Sequence, residues 1–246
     1  MADYNNPIAR GQTAAASAVD AGLRAYMLRV YNYMMVGMVL TGASAWLTAE
    51  TPFGQLFFNI NPYTHAMGLT VLGMIALFAP LGLVLLLSFR LNSMSVSAAQ
   101  TTFWIYAAIV GIGIAPILLV YTGASVAEVF FITAAMFGAM SLWGYTTRSD
   151  LTGMGSFLFM GLIGIIIASV VNMFVHSAMM MWIISIIGVL VFTGLTAYDT
   201  QAIKESYSVS DDGTMAGRKA IFGALRLYLD FLNLFLMLMQ LMGNRR

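Results

Sequence analysis

The sequence predicts an all-α membrane protein, a bundle of seven transmembrane helices joined by short connections. Only 9% of the 246 residues are charged and 60% are hydrophobic, and the apolar residues fall in long uncharged runs. Soluble domains carry about 25% charged residues, so this chain lacks the polar surface that water requires. Backbone groups in lipid must be satisfied internally, and runs this long and uniform favour helices over barrel strands.

Each predicted span is a run long enough, at about 20 residues, to cross the hydrocarbon core. The run 151–198 holds two spans, with a hairpin tip at His176 and Ser177. Pro80 and Pro116 are expected to bend the second and third spans. The predicted spans are 30–49, 66–89, about 101–122, the stretch from Glu128 to Thr147, two spans within 151–198, and about 221–242.

Charge placement predicts the orientation of the bundle. Residues 1–25 form a cytoplasmic N-terminal tail in this interpretation, and residues 26–246 form the transmembrane domain. The positive-inside rule then places nine of the eleven basic residues on the cytoplasmic side. Arg245 and Arg246 lie outside if the seventh segment crosses and inside if it is re-entrant, and the sequence leaves both open. The nine are Arg10, Arg24, Arg29, Arg90, Arg148, Lys204, Arg218, Lys219 and Arg226.

One face of the last span is polar, although the other faces are Leu, Phe, Tyr and Met. Residues three and four positions apart share a helix face. An ionisable residue at membrane depth costs several kcal/mol unless it is paired or hydrated. Either Arg226 and Asp230 form a local salt bridge near the interface, or the stripe lines a water-filled or ion-filled path. The stripe consists of Arg226, Asp230, Asn233, Met237, Gln240 and Asn244.

A second carboxylate closes the sixth span, where Thr196, Asp199 and Thr200 lie at helical spacings. Asp199 is either an ordinary helix-end carboxylate that faces water or a partner of Asp230, because a charged loop of some 20 residues brings both spans to one membrane face. Two carboxylates within a few ångströms compete for protons, and when ionised they offer the hard oxygen ligands that Ca²⁺ prefers. Asn233, Gln240 and Thr196 are the pore-lining candidates.

Arg90 and Arg226 are the candidate counter-charges to the aspartates. Arg90 stands at the end of the second span, where a snorkelling anchor is the alternative interpretation. Arg226 stands one helical turn before Asp230.

Other function classes find little support in the sequence. It has no cysteine, and His65 and His176 are too far apart to suggest a zinc site. No basic cluster with interleaved aromatics indicates a nucleic-acid partner. A rhodopsin-like protein needs a lysine in its last span, whereas Lys204 and Lys219 precede the predicted one. The sequence therefore indicates neither an enzyme nor a cofactor, and a proton-coupled transporter stays open.

Three blocks of the chain resemble the bacterial branch of the Bax inhibitor-1 family. They are GYTTRSDLTGMGSFLFMGLIGIIIASVVN, VFTGLTAYDTQAIK and GALRLYLDFLNLFLMLMQLMGNRR, and the likeness extends from about residue 20 to the C-terminus. The resemblance implies a seven-helix bundle whose last helix is central, in the inner membrane of a bacterial cell. It also implies a pH-sensitive Ca²⁺ leak pathway gated by two aspartates, which match Asp199 and Asp230.

The resemblance has two further implications. The basic residue of the family's second span matches Arg90, whereas Ala79 and Gln240 stand where some members have an acidic and a basic residue. A second latch is therefore expected to be missing. Other bacterial members associate with a membrane-bound ATP-dependent protease and modulate it, which offers an alternative function with the contact on residues 1–20.

Overall fold

The computed structural model describes residues 7–60, 67–90 and 93–246, apart from the side chains of residues 7–18, Ile60 and Met67. Strands β1 (Phe58–Ile60) and β2 (Met67–Leu69) form a short antiparallel hairpin after a 3-10 turn at Pro52–Leu56. The rest is helical, as predicted. The helices are α1 (Pro7–Glu50), α2 (Val71–Arg90), α3 (Val96–Val120), α4 (Gly123–Thr146), α5 (Thr152–Val175), α6 (Ala178–Glu205) and α7 (Gly213–Met242).

Six of these helices, α2 to α7, are long and apolar enough to cross a membrane. Helix α1 completes the bundle by packing along α3 and α7. It turns Met35, Val39 and Trp46 outward, with exposures of 63%, 70% and 60%, and lipid is the fitting neighbour for such side chains. The helix runs unbroken through residue 25. The predicted division into a cytoplasmic tail, residues 1–25, and a transmembrane domain, residues 26–246, therefore does not coincide with a break in the helix and stays a prediction.

Polar side chains of α1 face inward and hold it against α3. The Thr41 hydroxyl donates to the Ala107 carbonyl oxygen at 2.9 Å, and the Ser44 hydroxyl donates to the Ala108 carbonyl oxygen at 2.8 Å. A Cβ at Gly111 would overlap both Ser44 Oγ and the Thr41 carbonyl oxygen. Small residues at a crossing let two backbones approach closely, and this is how the polar side chains of α1 reach the backbone of α3.

The predicted hairpin tip between the fifth and sixth spans is confirmed. Helix α5 ends at Val175, and His176 adopts the left-handed conformation with a φ of 54°, which is common at helix C-termini. The Ser177 hydroxyl then caps α6 by accepting from the Met180 N–H at 3.2 Å. Pro80 and Pro116 lie inside α2 and α3, and neither interrupts its helix.

The last helix begins eight residues earlier than the predicted 221. The Asp212 side chain caps its N-terminus by accepting from the Met215 N–H at 2.6 Å. The α6–α7 connection is therefore residues 206–212, much shorter than the predicted loop. The prediction failed here because a search for uncharged runs excludes the first turns, which contain Arg218 and Lys219 and precede the apolar stretch.

Helix α7 crosses the whole bundle, so the re-entrant alternative is wrong. Its 30 residues measure about 45 Å, more than the roughly 30 Å of a hydrocarbon core. Beyond its end, the Asn244 N–H donates to Ser125 Oγ and the Arg246 N–H donates to the Val120 carbonyl oxygen, both at 2.9 Å. These bonds hold the C-terminus at the α3–α4 turn, at the end opposite the α6–α7 connection.

We call the end of the bundle that carries the α2–α3, α4–α5 and α6–α7 connections the basic face. Along the described chain, its basic residues are Arg24, Arg29, Arg90, Arg148, Lys204, Arg218 and Lys219.

The last helix is central, as the family resemblance implied. In its most apolar stretch, 67% of the residues are buried, against at most 33% in α2 to α6. Helices α1, α3, α4 and α6 all pack against it. Helix α5 packs mainly against α6 and is the least buried of the six, at 11%. A polar residue on α7 is therefore shielded by several helices, and the covering is thinnest on the α5 side.

Gly144 sets the spacing between α4 and α6. A Cβ at this position would lie 2.9 Å from both Cα and the carbonyl carbon of Ala197. Ala197 is two residues before Asp199, so this contact fixes the part of α6 that carries the carboxylate. Gly138, on the same helix, has open space where its Cβ would be.

We expect Gly144→Val to lower the melting temperature of the purified protein and Gly138→Val to leave it near the wild-type value. Overpacking of a well-packed contact costs about 1–3 kcal/mol, and each kcal/mol lowers the melting temperature by roughly 2–4 °C for a chain of this size. Thermal unfolding in detergent measures both variants. Equal melting temperatures would show that the Gly144–Ala197 contact is not a constraint.

Candidate functional site

The two aspartates predicted from the sequence meet in the interior of the bundle. Asp199 lies near the end of α6 and Asp230 in the middle of α7, and their exposures are 7% and 5%. The two carboxyl groups lie close together in the lining of one cleft. They converge because α6 and α7 are antiparallel neighbours joined by a seven-residue connection, residues 206–212.

Arg226 binds Asp199 across the two helices. Its Nε donates to Asp199 Oδ2 at 3.2 Å, and its Nη2 donates to Asp199 Oδ1. This is the two-pronged arrangement in which a planar guanidinium matches a carboxylate. The guanidinium carbon also lies 5.9 Å from the ring centroid of Tyr198. Arg226 thus forms its ion pair with α6, and the alternative of a local Arg226–Asp230 salt bridge is not what the structure contains.

Asp230 has an oxygen with no donor. Within the described part of the chain, no hydrogen-bond partner reaches its buried Oδ2. A buried carboxylate oxygen without a donor is costly in a medium of low dielectric constant. A proton shared by the two carboxyls would supply the missing donor. It would also neutralise the cluster, because two carboxylates and one guanidinium sum to a charge of −1.

The cluster faces a cleft of about 970 Å³ between α5, α6 and α7. On α5 the lining extends from Gly155 to Met173, which is about 27 Å of helix and close to the thickness of the hydrocarbon core. Phe159, Ile166 and Val170 on this lining are between 50% and 58% exposed. The cleft therefore connects the buried charges with the lipid-facing side of α5.

Of the three pore-lining candidates, the cleft brings only Asn233 to the cluster. Asn233 lines the cleft, and its Nδ2 donates to the Leu229 carbonyl oxygen at 2.8 Å, which leaves its side-chain oxygen as the atom that can serve a cation. Gln240 lies outside the cleft lining, and its Oε1 accepts from Ser185 Oγ at 2.7 Å. Thr196 is fully buried and donates to the Phe192 carbonyl oxygen at 2.8 Å.

Arg90 does not join the cluster, which corrects one candidate counter-charge. Its side chain is exposed at the end of α2, a helix that packs against α3 and the hairpin. Among the described residues, no ion pair joins Arg90 to Asp199 or Asp230. The counter-charge comes from Arg226 instead, because α7 and α6 are in direct contact whereas α2 lies on the far side of α3.

Two residues of the site were missed by the sequence reasoning. Tyr198 contributes the ring beside Arg226, and Ser156 contributes a hydroxyl to the cleft. A Cβ at Gly155 would lie within 2.5 Å of the Tyr198 ring, so the small residue on α5 makes room for the aromatic one on α6. The only signal in the sequence was the pair of glycines at 153 and 155, and glycines alone do not indicate which residue packs against them.

A divalent ion at this site would depend on the two aspartates. Among the described residues, no group of three or more His, Asp or Glu side chains is arranged to hold a metal. Two carboxylates offer at most four oxygens, whereas Ca²⁺ takes 6–8. Water and the Asn233 oxygen would have to supply the rest, and Arg226 would have to leave Asp199. Such a site suits an ion in transit better than one held tightly.

The chain matches known proteins along nearly all of its length. The family described as inhibitor of apoptosis-promoting Bax1 matches residues 23–246. A protein of Rickettsia prowazekii (strain Madrid E) is 45% identical over 246 residues, which is 100% of both chains. A protein of Caulobacter vibrioides is 42% identical over 249 residues, also 100% of both chains.

The inner membrane protein YbhL of Escherichia coli (strain K12) is 45% identical over 229 residues, which is 92% of this chain and 94% of YbhL. These matches agree with the apolar helices of the structure and with the sequence blocks around the two aspartates. The chain therefore belongs to the Bax inhibitor-1 family of membrane proteins.

Proposed function

We propose that this protein is a pH-sensitive Ca²⁺ leak channel of a bacterial inner membrane, gated by Asp199 and Asp230. The observation that supports it most is the proximity of two buried carboxyls in one cleft, one of which has an oxygen without a donor. The name of YbhL supports the inner-membrane location. The positive-inside rule supports an orientation with the basic face and the N-terminus in the cytoplasm.

The closed state in this proposal is the neutral cluster. Arg226 neutralises Asp199, and one proton between the carboxyls neutralises Asp230. A neutral cluster avoids the cost of an isolated charge inside the membrane, and it gives a cation no reason to enter. Arg226 also fills the position beside Asp199 that a cation would need.

The conducting state requires two changes. Loss of the shared proton leaves the cluster with a charge of −1, which attracts a cation into the cleft. When Arg226 then leaves Asp199, two carboxylates face one Ca²⁺ and the charges again cancel. The Arg226 side chain is 33% exposed, so its guanidinium is free to turn into the cleft. Because the shared proton is lost as pH rises, Ca²⁺ flux increases with pH.

We expect Asp199→Asn and Asp230→Asn each to remove the pH dependence of Ca²⁺ flux in proteoliposomes. With one aspartate left, the positive charge of Arg226 balances the remaining carboxylate. The cluster is then neutral without a shared proton, so a change of pH does not alter its charge. Flux in both variants should stay at the low level that the wild-type protein shows at acid pH. A Ca²⁺-sensitive dye inside the vesicles gives the flux at each pH.

Glu205→Gln is the matched control for the aspartate variants. Glu205 is an exposed acidic residue at the end of α6, and its replacement should leave the pH profile unchanged. If both Asn variants keep the wild-type profile, the two aspartates do not gate the channel.

We expect Arg226→Gln to increase Ca²⁺ flux at neutral pH by about five-fold, which corresponds to roughly 1 kcal/mol for a partly exposed ion pair. The substitution removes the tethered cation that competes with Ca²⁺ for Asp199. Arg226→Lys keeps the charge without the planar fork, so its flux should lie between those of the wild type and the Gln variant. Equal flux in all three proteins would mean that Arg226 does not compete with the ion.

Modulation of a membrane-bound ATP-dependent protease stays the alternative function. Its predicted contact falls on residues 1–20, and most of these side chains lie outside the part of the chain that the structure describes. Helix α1 does continue from the bundle as far as Pro7, so a helical element is available beyond the membrane. Co-purification of the protease with the full chain but not with a chain lacking residues 2–20 would support this function.

A further inference from the structure

A second large cavity lies between α1 and α4, on the side of the bundle away from the cleft. This α1–α4 groove has a volume of about 820 Å³ and reaches Phe231 of α7 at its floor. Its α1 wall extends from Arg24 to Val39 and its α4 wall from Phe130 to Tyr145. None of the residues described above as the Asp199–Arg226–Asp230 cluster lines it.

The hydroxyl groups of the groove are already satisfied by one another. The Tyr31 and Ser141 hydroxyls are 2.6 Å apart, and those of Ser141 and Thr200 are 2.9 Å apart. The Thr200 hydroxyl donates to the Thr196 carbonyl oxygen at 2.7 Å. Thr200 must therefore accept from Ser141, and Ser141 must accept from Tyr31. Since every O–H in this series is used, the floor of the groove favours an apolar occupant.

The groove has the shape and position of an acyl-chain site. Met35, Val39 and Leu142 on its lining are 63%, 70% and 64% exposed, so it is open towards the lipid. The 15 residues between Arg24 and Val39 measure about 22 Å, whereas one leaflet of the core is about 15 Å thick. An empty space of this length would forfeit dispersion contacts along both walls, and an extended hydrocarbon chain restores them.

The charge at the mouth of the groove indicates the headgroup. Arg24 is exposed and lies at the basic face, where the first turns of α1 leave the bundle. Among the described residues, no acidic side chain lines the groove. A basic residue at headgroup level attracts an anionic lipid with about 1 kcal/mol.

We propose that the α1–α4 groove binds one phospholipid with an anionic headgroup. One acyl chain lies between α1 and α4 over Phe231, and the phosphate lies at Arg24. This site is separate from the aspartate cluster, so the lipid proposal does not depend on the proposed channel function. Hydrogen bonds from Tyr31 to Ser141 and from Ser141 to Thr200 connect the groove with α6, where Thr200 is the neighbour of Asp199 in the chain.

Native mass spectrometry of the full-length protein tests the proposal. The protein is released from nanodiscs that contain equal amounts of phosphatidylglycerol and phosphatidylcholine with identical acyl chains. The wild-type protein should retain one phosphatidylglycerol. Arg24→Gln should lower the preference for phosphatidylglycerol about five-fold, the equivalent of one basic residue near the membrane surface.

Gly138→Trp is the variant that should block the groove. Gly138 lines the groove and has open space at its Cβ position, so the indole can occupy the acyl-chain path without displacing α4. Gly164→Trp is the matched control, because Gly164 on α5 also has open space at its Cβ position and lies outside the groove. Gly138→Trp should lose the bound lipid, and Gly164→Trp should retain it.

The proposal fails if Gly138→Trp retains phosphatidylglycerol as the wild-type protein does, or if the wild-type protein retains none. Equal retention of the two lipids by the wild-type protein would overturn the assignment of an anionic headgroup. If Gly138→Trp does not fold, as judged by its melting curve, Ala134→Phe one turn earlier on the same wall gives the same comparison.

Discussion

The charge balance of three side chains constrains the rest of this structure. Asp199, Asp230 and Arg226 lie where water is scarce, and each uncompensated charge there costs several kcal/mol. The cluster is therefore stable only when it is close to neutral, which requires α6 and α7 to lie side by side at this depth. The helices around α7 make this balance necessary, because they keep water away from the charges. The short connection between α6 and α7 and the central position of α7 keep the three side chains together inside the bundle.

The packing around the cluster is close on one side and loose on the other. On the α4 side, Gly144 meets the backbone of Ala197, and hydroxyl contacts join α1 and α4 to α6. On the α5 side, the cleft separates α5 from α7, and α5 is the least buried span. A rearrangement that admits an ion to the cluster therefore costs least if α5 moves, because fewer packed contacts are lost there than at α4.

The sequence was sufficient for the seven long helices, six of which are apolar enough to cross a membrane, for the hairpin tip at His176 and for the convergence of Asp199 with Asp230. Long apolar runs indicate which segments cross the membrane. A connection between two spans places their joined ends at the same membrane face, and this limits where the polar residues of the two spans can lie. The sequence did not reveal which helices are neighbours in the bundle. Arg90 and Arg226 were therefore equal candidates for the counter-charge, although α7 packs against α6 whereas α2 packs against α3. Helix periodicity also placed Gln240 on the polar stripe, whereas its side chain turns towards Ser185 on α6.

The position of the counter-charge determines what the proposed gate has to move. A basic residue on α2 would tie two distant parts of the bundle together, and release would require a helix to shift. Arg226 lies on α7, one turn from Asp230, so its ion pair with Asp199 breaks by rotation of one side chain. Near the other end of α7, the neutral Ser185–Gln240 hydrogen bond is worth about 0.5–1.5 kcal/mol and is indifferent to pH. The pH response of the proposed gate therefore rests on one charged cluster.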